Sequence, residues 1–333
     1  MKPLRMLKFA AMIFTHRITG IDLILTRECN LSCRYCGVIR SEKRTMLEPG
    51  QWLRIIDYFR RHRHMHFIFT GGEPLLYKGL PEIVASTQRH SITCLMTNGK
   101  ALSAEALKEL NGLDFLILSL DGEGEKKDSG KNFYDRLDIL REHSGKTGLS
   151  VSVMATVTKN NVNGIPGLVK LLKKYGFPFL ISLYHSGATE NFDFRTEHDE
   201  LDFRTPEELE KLSELAERLI EMRREGYLIG ENDWFLRSLA PFKKGEAVTE
   251  CLAGRNWFEV DCDGSIKACH DAPPGGLNAL DEPDYKAMKT ELRRTLPAGC
   301  RCVYDFYYNA QHLRKQPLKY LYFVMRSRNL LTW

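Results

Sequence analysis

From Ile21 to His185 one unit recurs: an apolar run of strand length, a polar turn, then a segment of helical period. The apolar runs are IDLILT (21–26), HFIFT (66–70), ITCLMT (92–97), FLILSL (115–120), LSVSVMATVT (149–158) and FPFLISLYH (177–185). Helical segments are expected near 49–62, 79–90, 103–111, 132–142, 164–175 and 205–225. Strands alternating with helices dictate a parallel sheet joined by right-handed crossovers. Strands this apolar need helices over them. Six units predict an α/β fold, a partial (β/α)6 TIM-like barrel rather than a closed eight-fold one. Such a barrel carries its site on the loops at the C-terminal ends of its strands.

The unusual residues stand at those ends. Strand one runs into Cys29, strand two into TGGEP (70–74), strand three into TNG (97–99) and strand four into SLDG (119–122). After about Asn232 the pattern changes. WFEVDCDGSIKAC (257–269) reads as a β-hairpin turning at Asp263-Gly264. The rest is short and cysteine-bearing, as far as GCRCVYD (299–305). The expected divisions are a basic amphipathic segment 1–20, a barrel 21–235 and a small cysteine-rich domain 240–333. Fewer than 100 residues often need a metal staple.

Composition narrows the class. The 333 residues are 43% apolar, enough for a sizeable core, and no apolar run reaches 18 residues. The N-terminus lacks a small-residue cleavage site, which argues against a secretory signal. The net charge of +5 sits in the tails: Lys2, Arg5, Lys8 and Arg17 precede the first acid, while Arg314, Lys315, Lys319, Arg326 and Arg328 follow the last. The body between is acidic, which excludes a nucleic-acid-binding stripe. Either the tails form helices that cover the fold, or they meet a membrane surface or another anionic partner. Eight of nine cysteines cluster, at 29/33/36 and 251/262/269/300/302. Clustered thiols without a signal point to metal binding in a reducing cytoplasm. Cys94, in an apolar run, reads as a small buried hydrophobe.

Cys29, Cys33 and Cys36 follow C-x3-C-x2-C within eight residues. A structural zinc wants a closed set of four. Three thiolates can hold three irons of a [4Fe–4S] cube and leave the fourth open. This triplet, with Tyr35 before its third cysteine and GGEP, TNG, SLDG and VTKNN (157–161) following in order, resembles the radical S-adenosylmethionine (SAM) superfamily. The resemblance implies that Cys29, Cys33 and Cys36 hold a [4Fe–4S] cluster whose open iron binds SAM. It implies that Gly71, Gly72 and Glu73 meet the methionine ammonium and that Pro74 fixes the turn. Asn98, Ser119 and Asp121 would lie near ribose and carboxylate, and Tyr35 against adenine. The implied chemistry is one-electron cleavage of SAM to a 5′-deoxyadenosyl radical, which takes a hydrogen atom from an unactivated carbon. A reductant such as flavodoxin or ferredoxin would supply the electron. One departure is visible: relatives often follow SLDG with His-Asp and an arginine, whereas this chain reads EGEKKDSGKNF.

Cys251, twelve residues, Gly264, four residues and Cys269 resemble the opening of a SPASM/twitch auxiliary-cluster domain. That implies one additional iron–sulfur cluster of the [4Fe–4S] kind. Five thiols compete for four places. A two-residue turn would pair Phe258 with Cys269 and Cys262 with Ser265. Cys262 and Cys269 would then sit about 13 Å apart along the ribbon, too far for one cube. The expected ligands are therefore Cys251, Cys269, Cys300 and Cys302. Cys262 is left as a small structural residue or as a thiol that returns hydrogen to a substrate radical.

Three further features complete the reading. His62, His64 and His66 in RHRHMHF read as a solvated helix-to-strand junction, and the acidic stretch 190–202 as a solvated loop or a lid. His270 is either a surface residue or a donor to a cluster ligand. A peptide, a small molecule or a lipid precursor fits as substrate. Only 28 residues precede Cys29, so a peptide would need a recognition device other than an N-terminal leader-binding domain. The alternative is a non-catalytic iron–sulfur or zinc-stapled binding protein.

Overall fold

The computed structural model describes residues 19–38, 45–122, 133–184, 199–246, 253–270 and 272–296. All six expected strands form: β1 (Gly20–Thr26), β2 (His66–Gly71), β3 (Ile92–Thr97), β4 (Phe115–Ser119), β5 (Ser150–Val157) and β6 (Phe179–Leu183). They lie in the order β6-β5-β4-β3-β2-β1, every pair parallel. Between and after them run α1 (Pro49–Arg61), α2 (Leu80–Thr87), α3 (Ala104–Glu109), α4 (Phe133–Thr147), α5 (Ile165–Tyr175) and α6 (Pro206–Arg224). This is the partial α/β barrel that six units dictate.

Local chemistry sets the helix ends. Glu208 donates its N–H to Thr205 Oγ1 at 3.3 Å and its carboxylate accepts the Thr205 N–H at 3.0 Å, a capping box that starts α6 ahead of Pro206. Gly176, at φ +72°, ends α5. The inner stripe of α1 is Trp52, Ile55, Ile56 and Phe59, spaced i, i+3, i+4, i+7 and buried against the sheet. Each such large side chain contributes roughly 1.5–3 kcal/mol by leaving water. Cys94 lies buried on β3, as its apolar setting requires.

The sheet does not stop at β1. After α7 (Asp233–Lys243), β7 (Trp257–Val260) pairs parallel to β1, with Gly20 opposite Trp257 and Leu23 opposite Val260. Its hairpin partner is β8 (Ile266–Lys267), and α8 (Tyr285–Arg294) follows. Trp257 locks the seam by donating Nε1–H to Asp22 Oδ2 at 2.8 Å. The hairpin expected to open a separate domain thus extends the barrel sheet, and the C-terminal end of β7 faces the same way as that of β1.

Two expectations need correction. The register is Glu259 opposite Lys267 and Val260 opposite Ile266. Asp261 faces Ser265 across a three-residue loop, with Gly264 at φ +85° accepting the left-handed position. Phe258 and Cys262 therefore do not pair with Cys269 and Ser265. Cys262 leaves the ladder for the turn, so its spacing from Cys269 along the ribbon no longer decides the ligand set.

The histidine run is only partly solvated, with His62 and His66 half-buried. His64 is fully buried, with Nε2 2.7 Å from the Tyr285 hydroxyl, and His62 stacks on Tyr285 at 4.3 Å between centroids. His66 meets the Trp257 ring edge-on. They form an aromatic seam joining α1 and β2 to β7 and α8. Among the described residues no helix is long and apolar enough to cross a membrane. The basic tails, and the acidic stretch up to residue 198, lie outside the described residues.

Candidate active site

Cys29, Cys33 and Cys36 occupy the loop at the C-terminal end of β1, each half-buried. The Cys36 N–H donates to the Cys33 carbonyl at 3.1 Å, which folds the loop tightly. Cys29 Sγ accepts the Leu31 N–H at 3.4 Å and the Asn98 Nδ2–H at 3.6 Å. Burial pushes the Cys29 thiol up, while those two donors favour its thiolate. Among the described residues no three His, Cys, Asp or Glu side chains gather where one ion would sit.

The glycine-rich turn packs directly against this loop. Gly72 N–H donates to the Thr26 carbonyl and Glu73 N–H to the Glu28 carbonyl, both at 2.7 Å. A Cβ on Gly71 would lie 2.3 Å from the Thr26 oxygen, and one on Gly72 2.2 Å from the Glu28 oxygen. Only glycine permits that approach. Pro74 opens a short 3-10 turn, Pro74–Leu76, capped by Glu73.

Glu73 is fully buried. Its carboxylate accepts from Leu75 N at 3.0 Å, Thr97 Oγ1 at 2.7 Å and Asn98 N at 2.8 Å. Burial raises its pKa against those three bonds. In this structure it ties the β2 turn to the β3 turn.

The other strand ends form a second group around Tyr35. Its hydroxyl donates to Asp121 Oδ2, and its ring centre lies 6.5 Å from that of Tyr184 at the end of β6. Asp121 Oδ1 accepts Thr156 N–H at 2.8 Å, and Asn161 Nδ2 donates to the Asp121 carbonyl at 3.0 Å. Burial raises the Asp121 pKa, with the Tyr35 and Thr156 donors opposing. Ser119 ends β4 opposite Met154, half-buried. Arg34 reaches Glu200 at 2.7 Å, so the described end of the acidic stretch touches the cysteine loop.

A cavity of about 630 Å³ opens beside Cys29. Cys262, Arg27, Met46 and Leu76 share its wall. Met46 and Leu76 are among the few large apolar side chains exposed in the described residues. Arg27 holds Asp261 at two points, with Nε to Oδ1 at 3.1 Å. Asp261 in turn accepts the Cys262 N–H at 2.8 Å. Burial pushes the Asp261 carboxyl up, but the Arg27 bond and the Lys267 charge outweigh it and hold it well below the usual range. Burial and the Asp261 charge push the Cys262 thiol up to about 11, so it keeps its proton at neutral pH.

A family model described as the radical SAM superfamily matches residues 23–172. A probable GTP 3′,8-cyclase of Pyrococcus abyssi is 32% identical over 232 residues, 65% of this chain and 73% of that protein. The chain belongs to the radical SAM superfamily. Fe-coproporphyrin III synthase of Methanosarcina barkeri is 32% identical over 171 residues, 48% of this chain and 42% of that protein. The chain thus spans less than half the length of that relative. The crystal structure of Streptococcus suis SuiB bound to precursor peptide SuiA superposes with a TM-score of 0.64 at 16% identity, over 86% of this chain and 69% of that one. That likeness shows the fold.

Membership implies a [4Fe–4S] cluster and SAM as cofactors. The donor set fits this radical SAM pair: soft thiols in one tight loop, N–H groups aimed at Cys29 sulfur, and a glycine turn packed directly on that loop. Sequence reasoning missed Arg136. From α4 this buried side chain donates Nη1–H to the Asn98 carbonyl at 3.0 Å. Its signal was an arginine placed i, i+4 from Leu140 on the buried side of a helix. Of the five C-terminal thiols, Cys262 and Cys269 are both buried, while Cys251, Cys300 and Cys302 lie outside the described residues. His270 bonds Glu259 through Nδ1 at 2.8 Å.

Proposed function

We propose that this chain is a radical SAM enzyme that takes a hydrogen atom from an unactivated C–H of a peptide. The observation that carries the reading is the loop of Cys29, Cys33 and Cys36 packed against the Gly71-Gly72 turn. A protein of the same fold binds a precursor peptide, which supports that substrate class. The names of the two sequence relatives keep a small molecule as the second candidate. When bound and reduced by one electron, cluster and SAM supply a 5′-deoxyadenosyl radical. Cys29, Cys33 and Cys36 would hold the cluster, Gly71 and Gly72 would keep the β2 turn against the cluster loop where SAM binds, and Tyr35, Ser119 and Asp121 would bound the nucleoside side. Cys251, Cys269, Cys300 and Cys302 would hold an auxiliary cluster, and a flavodoxin- or ferredoxin-type donor would deliver the electron.

Anaerobic reconstitution tests this. Two cubes require about eight irons and eight sulfides, and dithionite plus SAM should yield 5′-deoxyadenosine. A colourless protein without sulfide would instead be a zinc-stapled binding protein. SAM cleavage surviving in Cys29→Ala would sink the site assignment.

A second reading concerns the outcome. Cys262 shares the cavity with Cys29 and stays protonated. Its S–H can pass a hydrogen atom to a substrate carbon radical, forming C–H and leaving a thiyl. One electron from the reductant and one proton restore the thiol. Product formed in D2O should then carry one deuterium, and Cys262→Ser should lose that product while still cleaving SAM.

A further inference from the structure

Asn98 has every polar group committed. Its N–H goes to Glu73 Oε2 at 2.8 Å and its carbonyl accepts from Arg136 at 3.0 Å. Its side-chain Oδ1 accepts the Lys100 N–H at 2.8 Å. Its Nδ2 donates to Asn30 Oδ1 at 2.9 Å and to Cys29 Sγ at 3.6 Å. The amide cannot be turned over, because a backbone N–H only donates and needs an oxygen opposite it. The nitrogen therefore faces the sulfur. Sequence resemblance had assigned this residue to the ribose and carboxylate of SAM.

We propose that Asn98 is a positioning residue for Cys29 that sets how readily the radical-site cluster accepts an electron. This rests on the reading that Cys29 is a cluster ligand. A hydrogen bond to a ligating thiolate stabilises the extra negative charge of the reduced form and so raises the reduction potential. The Lys100 amide, Asn30 and Arg136 keep the donor aimed.

The test is an EPR-monitored redox titration of the anaerobic, reconstituted full chain, with iron and sulfide counted on each sample. Asn98→Ser retains an oxygen for the Lys100 amide but is too short to reach Sγ. Asn98→Asp retains the shape, removes the donor and adds an acceptor oxygen. The expected order of midpoint potentials is wild type highest, Asn98→Ser lower and Asn98→Asp lowest, all at wild-type iron content. Either variant titrating at the wild-type potential with full iron overturns the proposal. Loss of the cluster from both variants also overturns it, since Asn98 would then serve assembly. Absence of a cubane signal in the wild type would instead strike the underlying site assignment.

Discussion

The guanidinium of Arg27, two residues before Cys29, grips the carboxylate of Asp261, one residue before Cys262, in a two-point ion pair whose side chains are 2% and 0% exposed. The two strands involved, β1 and β7, are more than 230 residues apart in sequence and adjacent in the sheet. The pair closes that seam at the mouth, as Trp257 and Asp22 close it lower down. Lys267 Nζ also lies 3.5 Å from Asp261 Oδ2, so Asp261 keeps one cation when Arg27 is lost; breaking a buried pair of this kind costs up to about 3–5 kcal/mol, most when Asp261 is the partner removed. Asp261→Asn and Arg27→Met should each lower the thermal midpoint strongly. The double variant Arg27→Met/Asp261→Leu should be less destabilised than the sum of the singles. A thermal-unfolding cycle reads this directly, and additive losses would show that the pair is not coupled.

His64 supplies a pH signature. Burial pushes its pKa down to about 3, and the nearby Lys289 charge adds to the effect. The folded state keeps it neutral while the unfolded chain takes up a proton near pH 6.5. The unfolded state thus binds more protons below pH 6.5, and stability falls as pH falls from there toward 3, by up to about 1.4 kcal/mol per unit. His64→Gln should flatten that part of the profile. Urea unfolding at pH 7.5 and pH 5 in both proteins measures it, and parallel losses would rule out His64 as the source.

The strands and the mouth were legible because each needs only local information. Apolar runs such as FLILSL mark a covered sheet, and the residue after each run marks the rim. What escaped depends on distant pairing. Nothing near Trp257 announces that β7 lies beside β1, so Cys262 could not be placed at the mouth. Asp263-Gly264 signalled a turn, but its length hung on Gly264 taking the left-handed position alone, and one residue of slip reversed the faces. His64 looked solvated because its cover, Tyr285, comes from α8. Asn98 was legible as a site residue, but its bond to Cys29 was not, since it crosses from one strand end to another.

Gly72 should tolerate no side chain. A Cβ there would sit 2.2 Å from the Glu28 carbonyl oxygen, and backbone on both sides prevents easy relief. Gly72→Ala should push the β2 turn off the cysteine loop and reduce cluster loading. Gly50, near the start of α1, has nothing within 4 Å of its Cβ position. Gly50→Ala should hold full iron and gain up to about 1 kcal/mol from helix propensity. Iron content and thermal midpoint of the two variants, measured side by side, decide it. Equal iron in both would mean that the close approach does not shape the site.

The thiols can be sorted by counting iron. If Cys29, Cys33 and Cys36 hold one cube, alanine at any of them should remove about four irons and abolish 5′-deoxyadenosine. Alanine at Cys269 should also remove about four, but leave the signal of the radical-site cluster. Cys262→Ala should keep about eight, because its place in the three-residue turn, bonded through Asp261 to Arg27, belongs to the cavity wall. A loss of four irons in Cys262→Ala would move that thiol into the auxiliary set, displacing one of Cys251, Cys269, Cys300 and Cys302. It would also remove the hydrogen-donor reading, since a thiol bound to iron has no S–H to give.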